Sequence, residues 1–245
     1  MRRFFVTPDG FRKNYVSIRG SDAIHIRDVL RMKPGDLIHV FDGSGFCYQV
    51  ELNSVLKKES KGRVLSRETF RAESPLEISL GQAILKGNKF DSVIRKAVEL
   101  GVRSIVPLIT MRTISKIPIG GFDKKSCRWK KIAEEASKQC GRNYIPKVNS
   151  KALNVESFCV GSRGYDLKIC FWEGESSCRV QDIVMESPPK RIAALIGPEG
   201  GFETKEIEDV KKTGFFTVNL GPRLLRAETA PLAVLAILQN RWGDI

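Results

Sequence analysis

Histidine is almost missing from this chain: His25 and His39 are the only two, and none follows position 39. A Ser-His or Cys-His nucleophile is therefore not expected in the later two thirds of the sequence, and both histidines read as surface or core residues rather than ligands. Cysteine occurs six times (Cys47, Cys127, Cys140, Cys159, Cys170, Cys178) but never as a C-x-x-C pair, and no cluster has zinc-ligand spacing, so no metal is expected. The thiols read as reduced, cytosolic and mostly structural. Long apolar runs are also lacking: "APLAVLAIL" has nine residues, against about 20 for a membrane span. The opening "MRRFFVTPDGF" breaks its apolar run after three residues and does not read as a secretory signal. Acidic residues are scarce, 28 against 41 lysines and arginines, leaving a net charge of +13. That excess points to a polyanionic partner, most simply nucleic acid, with a merely basic soluble protein as the plain alternative.

What is present divides near residue 72. Residues 1–72 hold 14 basic and 8 acidic side chains, and the remaining 173 hold 27 and 20, so the first third is the denser cationic surface. It reads as short strands: "RRFFV", "GDLIHVFDGSGFCYQVEL" folded back at Asp42-Gly43-Ser44-Gly45, and "GRVLSRETF". One helix interrupts, "SDAIHIRDVLRM", with Ser21 as its N-cap and Ala23, Ile26 and Leu30 on one stripe. Such a composition predicts a compact β-barrel over 1–72, closed by a polar linker "RAESP". Over 73–245, strand-like "LEISLGQAIL", "RSIVPLI", "LKICFW", "RIAALIG" and "FFTVNLG" alternate with helix-like "KFDSVIRKAVELG", "SCRWKKIAEEASKQCG", "TKEIEDVKKTG" and "ETAPLAVLAILQN". This alternation predicts an α/β domain with a mostly parallel sheet covered on both faces.

Ligands of parallel sheets bind beyond the carboxyl ends of the strands, and two segments end there in the same way. "LIGPEGGFETKEIE" and "NLGPRLLRAETA" both run from apolar strand through Gly-Pro into polar residues leading to a helix. Glycine before proline is held extended and proline offers no N–H, so each corner is stiff with a defined set of free backbone groups. Two such corners could clasp one flat ligand; ordinary strand-to-helix turns are the alternative. Phosphate cradling fails on paper. Counting from Gly197, Phe202 stands where the Walker pattern needs its second glycine, and Glu199 would repel a phosphate. The dinucleotide fingerprint G-x-G-x-x-G is absent from both corners.

The two corners, with "KFDSVIRKAVELGVRSIVPLIT", "RWKKIAEEASKQCGRNYIPKV" and "HIRDVLRMKPGDLIHVFDGSG", resemble the RsmE family of 16S ribosomal RNA uridine-N3 methyltransferases within the SPOUT, or trefoil-knot, superfamily. The resemblance spans essentially the whole chain. It implies a PUA-like β-barrel over residues 1–72 that binds RNA, then a SPOUT-type trefoil-knotted parallel-sheet α/β methyltransferase domain over 73–245. It further implies S-adenosylmethionine (SAM) as cofactor, small-subunit ribosomal RNA or its ribonucleoprotein as substrate, a homodimer, and a cytoplasmic location. Cys140 stands where many relatives carry serine, and "SFCVGSRGYDLKIC" matches no family pattern, which leaves the pocket wall at Phe171 to Glu173 unassigned.

The resemblance assigns roles to particular residues. Gly197, Gly200, Gly201 and Gly221 let the backbone approach the cofactor, Leu195, Ile196, Leu220, Leu224 and Leu225 enclose its adenine, and Thr229 completes the set. Glu199 or Glu228 would sit near the sulfonium. Methylating uridine N3 requires loss of the imide proton, and Arg226 is the expected anion stabiliser or base-orienting group, with Glu228 as base or cofactor partner. Capping or pairing at the start of the last helix is the other reading of Arg226 and Glu228. Arg2, Arg3, Arg12, Lys13, Arg19, Arg27 and Arg31, then Lys86, Lys89, Lys96 and Arg142, are the expected RNA contacts, with a solvated helix face as the alternative for the lysines and a dimer contact as the alternative for Arg142. Two rival functions are a ribosome-assembly factor that binds rRNA without catalysis and a SPOUT methyltransferase acting on another RNA.

Overall fold

The computed structural model describes residues 2–69, 72–113 and 121–245. Phe70, at the end of the strand expected in "GRVLSRETF", and Arg71, at the start of the expected linker, lie outside the described residues. The chain forms two compact units, Met1–Glu73 with Ser137–Ile145, and Ser74–Ala136 with Pro146–Ile245.

The first unit is built on β1 (Arg3–Phe5), β2 (Phe11–Arg12), β3 (Tyr15–Arg19), β4 (Leu37–Phe41), β5 (Phe46–Val55) and β6 (Glu59–Thr69). Their order is β1-β4-β5-β6-β3-β2, and no ladder joins the two ends among the described residues, so the barrel is incompletely closed. Only β1 and β4 pair in parallel. Alternate residues point inward, and Phe4, Val16, Ile18, Ile26, Ile38, Val40, Val50 and Leu52 make the core. The expected hairpin turns at Asp42–Gly45, where Gly43 and Gly45 take φ of 81° and 104°. Asp42 Oδ1 accepts hydrogen bonds from the backbone N–H (2.9 Å) and the hydroxyl (2.5 Å) of Ser44.

The expected helix is shorter and starts differently. Helix α1 covers Ser21–Ile24, and His25–Val29 continues as a π-turn. Gly20, at φ 67°, occupies the cap position in place of Ser21, because the chain turns straight out of β3 and only a left-handed residue fits there. Strand β3 was not expected. Residues Ser137–Ile145 fold into this unit through Arg142, which binds Glu73 at 2.8 Å, and Asn143, whose Oδ1 accepts from Arg3 Nη2 at 2.6 Å.

The second unit follows the expected alternation: β7 (Glu77–Ala83), α2 (Lys89–Glu99), β8 (Ser104–Ile109), α3 (Gly121–Cys140, its last turn lying in the first unit), β9 (Lys147–Val148), β10 (Leu153–Asn154), α4 (Val155–Gly161), β11 (Leu167–Phe171), β12 (Arg191–Ile196), α5 (Thr204–Lys212), β13 (Phe216–Val218) and α6 (Ala230–Trp242). All strand pairs are parallel, in the order β10-β8-β7-β12-β11-β13, with β9 also on β8. Central β12 is buried from Ile192 to Ile196, as its unbroken apolar run requires of a strand covered on both faces. The unexpected helix is α4. It seats Phe158 on Gly81 of β7, where a Cβ would meet the Phe158 ring at 2.7 Å. A glycine inside a strand marks such a close approach. No described helix is long and apolar enough to cross a membrane.

Candidate functional site

At the carboxyl ends of β11, β12 and β13 the second unit opens a cavity of about 930 Å³. The first glycine corner, Gly197–Gly201, follows β12, and the second, Gly221 to Glu228, follows β13; both line it. Phe171, Trp172 and Glu173 after β11 supply the wall that the sequence left unassigned. The volume lies at the upper end for a small-molecule site, and the floor mixes apolar side chains with a few charged groups.

The first corner is held from behind. Buried Gln82, near the end of β7, donates from Nε2 to Gly197 O (3.3 Å) and Ala83 O (3.0 Å). Arg112, beyond β8, donates from Nη1 to Gly200 O (2.9 Å) and from Nε to Glu203 Oε1 (2.8 Å). Glu199 turns its carboxylate to the backbone N–H of Lys86 at 3.0 Å. Gly201 has φ 69°, and a Cβ there would run into the Glu173 carboxylate. Gly200 makes only ordinary contact at that position, so no neighbour among the described residues demands its lack of a side chain.

The second corner is held by a relay. Glu175 Oε2 accepts from the Thr217 hydroxyl (2.6 Å), its backbone O accepts from Asn219 Nδ2 (2.9 Å), and Asn219 Oδ1 accepts from Gly221 N (2.9 Å). The Glu175 carboxyl is pulled down to about 2, the Thr217 hydroxyl contributing most and the Ser177 N–H and hydroxyl next. Gly221 has φ 97°, and the space where a Cβ would project is open. Glu228 Oε2 lies 3.1 Å from Lys89 Nζ, a charge contact off-line for a hydrogen bond, and Glu199 Oε1 lies 4.0 Å from the same ammonium. The Glu228 carboxyl is held below its ordinary range, chiefly by its own backbone N–H, with Lys89 and Arg226 adding to it.

Most of the residues singled out in the sequence for a cofactor line this one cavity: Ile196, Gly197, Glu199, Gly200, Gly201, Leu220, Gly221, Leu224 and Leu225, together with Arg226 and Glu228. Leu195 instead points into the core of the unit, and Thr229 is exposed at the start of α6. Of the cations expected to touch RNA, Arg2, Arg12, Lys13, Arg19, Arg31, Lys86 and Lys96 are exposed. Arg19 pairs with Glu59, and Arg27 pairs with Asp28. Arg3 and Arg142 are buried in the first unit, and Lys89 lines the cavity. Sequence reasoning missed Gln82 and Arg112, which carry no motif; each is a lone polar residue at or just past a strand's carboxyl end.

The constellation suits a flat molecule that is partly apolar and cationic. Two backbone corners free of Cβ atoms face Ile196, Leu220 and Leu225, two carboxylates face the same space, and Glu199 blocks a phosphate nest.

Comparison with known proteins agrees with this picture. Residues 72–239 match the family model described as RNA methyltransferase domain, and residues 18–65 match the RNA methyltransferase PUA domain. The ribosomal RNA small subunit methyltransferase E of Buchnera aphidicola subsp. Acyrthosiphon pisum is 33% identical over 99% of this chain and 94% of its own length. That of Bacillus subtilis is 35% identical over 91% and 88%. The crystal structure of the same-named enzyme of Neisseria gonorrhoeae, bound to S-adenosyl methionine, superposes with a TM-score of 0.89 at 33% identity, covering 100% of this chain and 99% of that one. With a family model over more than half its length and relatives matched nearly end to end, the chain belongs to the ribosomal RNA small subunit methyltransferase E family.

Proposed function

We propose that this chain methylates N3 of a specific uridine in small-subunit ribosomal RNA, using SAM bound between the two glycine corners. The observation that carries the reading is that both corners, with Glu199 and Glu228, face one cavity, in a chain whose relatives include a SAM-bound methyltransferase. When bound, SAM supplies an electrophilic methyl group on a sulfonium and leaves as the neutral thioether.

The residues of this chain divide the remaining work. Ile196, Leu220 and Leu225 enclose the adenine and exclude water, while Gly201 and Gly221 let main-chain groups reach the cofactor. A general base works best when its affinity for protons matches the operating pH, and Glu228 is held below the ordinary carboxylate range. Held as a carboxylate, Glu228 is suited to pair with the sulfonium. Arg226, exposed at the cavity mouth, stabilises the charge that spreads onto the ring carbonyl oxygens when the imide proton leaves to water.

Residues 1–72 supply the RNA-binding surface and 73–245 the catalytic domain. Lys13 and Arg31 support the former: both carry a cationic side chain on a left-handed backbone, φ 52° and 51°, a conformation that favours glycine and collects at functional sites. Trefoil threading is supported by connectivity, since β13 lies beyond β11, yet the α6 that follows packs on α2 and returns Gln239 to Leu100 O at 3.1 Å. A homodimer is supported by α6, whose outer face stays apolar at half-buried Leu232, Ala233 and Ala236 and exposed Ile237. A cytoplasmic location is supported by a ribosomal RNA substrate.

The deciding experiment maps modified bases in small-subunit rRNA from a strain lacking this protein. Loss of one 3-methyluridine, restored by the wild-type gene, is the expected result, and full methylation without the protein would falsify the assignment.

A further inference from the structure

Lys89 is oddly placed. It is the first residue of α2, where the helix dipole favours an acidic side chain, and its ammonium lies inside the cavity between two carboxylates that belong to different corners. Glu228 of the second corner is 3.1 Å away and Glu199 of the first is 4.0 Å away. The Glu199 carboxylate is anchored besides on the Lys86 backbone N–H, so it does not follow Lys89 if the side chain moves. The Lys89 side chain is itself 42% exposed, against 24% for Glu199 and 26% for Glu228, so the cation has a wider path to solvent than the carboxylates.

Resting on the SAM reading given above, we propose that Lys89 is an internal stand-in for the sulfonium: it offsets part of the charge of Glu199 and Glu228 until the cofactor's positive charge replaces it. The ammonium offsets one of the two carboxylate charges, and a second cation held at the same contact distance is repelled by it. Entry of the cofactor turns the ammonium out toward the cavity mouth, where Arg223 and Arg226 also stand, and there it adds a donor for the charge on the RNA base. After methyl transfer the thioether is neutral, and Lys89 returns to the carboxylates and favours product release. The same charge thus sets the preference for SAM over its demethylated product, S-adenosylhomocysteine, and couples that preference to turnover.

Calorimetric titration of the full chain with each of the two compounds reads this directly. Lys89→Met removes the competitor, so SAM affinity rises and the preference for SAM over S-adenosylhomocysteine grows about tenfold, while Lys89→Arg leaves that ratio within about twofold. Glu228→Gln shifts the ratio the other way by a similar factor, a check that does not depend on Lys89→Met folding well. Single-turnover methylation of small-subunit RNA by Lys89→Met falls about 100-fold despite the tighter cofactor. Equal changes for both compounds, or weaker SAM binding by Lys89→Met, would overturn the proposal. Failure of the wild-type chain to bind SAM at all would instead overturn the functional reading on which it rests.

Discussion

The two glycine corners share a sequence pattern and face one cavity, yet they are held in different ways. The first is braced by buried Gln82, by exposed Arg112 and by the Lys86 backbone, above a core in which Phe158 lies on Gly81. The second rests on one relay through Glu175 and Asn219, and past Gly221 it presents exposed Arg223, Leu224 and Arg226 to solvent. A wall tied at several separate points keeps a constant shape for a constant ligand, whereas a lip tied by one relay and carrying exposed cations can adapt to a larger partner. The first corner therefore suits the cofactor, and the second suits both cofactor and RNA.

The largest test of that contrast is thermodynamic. Phe158→Ala removes a buried ring from under the first corner and is expected to cost about 3–5 kcal/mol in chemical denaturation. Leu224→Ala, at a side chain 83% exposed on the second corner, should change stability by less than about 0.5 kcal/mol. A comparable loss in both variants would mean that the second corner is as firmly built as the first.

Next comes cofactor binding. Arg112→Ala frees the Gly200 carbonyl and the Glu203 carboxylate, and SAM affinity should fall about tenfold with little change in the RNA salt response. Asn219→Ala breaks the relay to Gly221, for which a loss of about threefold is expected. Reversal of that order in calorimetry would show that the relay, not the brace, shapes the site.

The relay also carries a pH signature. The Glu175 carboxyl is ordinarily near 4.5 and is lowered to about 2 in the folded chain. A lowered value means that the folded state prefers the carboxylate, so the contribution is fully present above pH 4.5 and is lost as pH falls toward 2. Amide exchange at Ser177 should accelerate in that window in wild type and be already fast in Glu175→Gln, while amides of buried β12 keep their protection. Equal protection of Ser177 in both proteins at neutral pH would show that the Glu175 carboxylate does not hold the Ser177 amide.

Much of this was legible in the sequence because backbone chemistry writes itself locally. Gly-Pro after an apolar strand and the Asp42–Gly45 hairpin both announce their geometry within a few residues. The bracing was not legible, since Gln82 and Arg112 act on residues 115 and 88 positions away and no local pattern marks such a partner. Helix α4 was missed for a related reason: its seven residues are too few for a clear period, although Gly81 inside a strand was a sign that something packs closely there. Charge alone misled at Arg3 and Arg142, because a sequence does not show that Glu73 and Asn143 wait to receive them inside the first unit. It hid the situation of Lys89 too, one of several lysines near a helix start until the two corners close around it.

The smallest expected effect bears on the lip itself. Arg223 lines the cavity mouth and is exposed, so if the second corner meets RNA, its guanidinium contacts a phosphate. Removing one phosphate contact lowers the slope of log affinity against log salt by about 0.7 to 0.9 and leaves base preference unaltered. Arg223→Ala should show that decrement in RNA binding with SAM affinity unchanged. Lys205→Ala, an exposed cation on α5 behind the first corner, should leave the slope as in wild type. If Lys205 rather than Arg223 carried the salt dependence, the roles of the two corners would be exchanged, because the braced wall would then be the RNA face and the lightly tied lip would serve the cofactor alone.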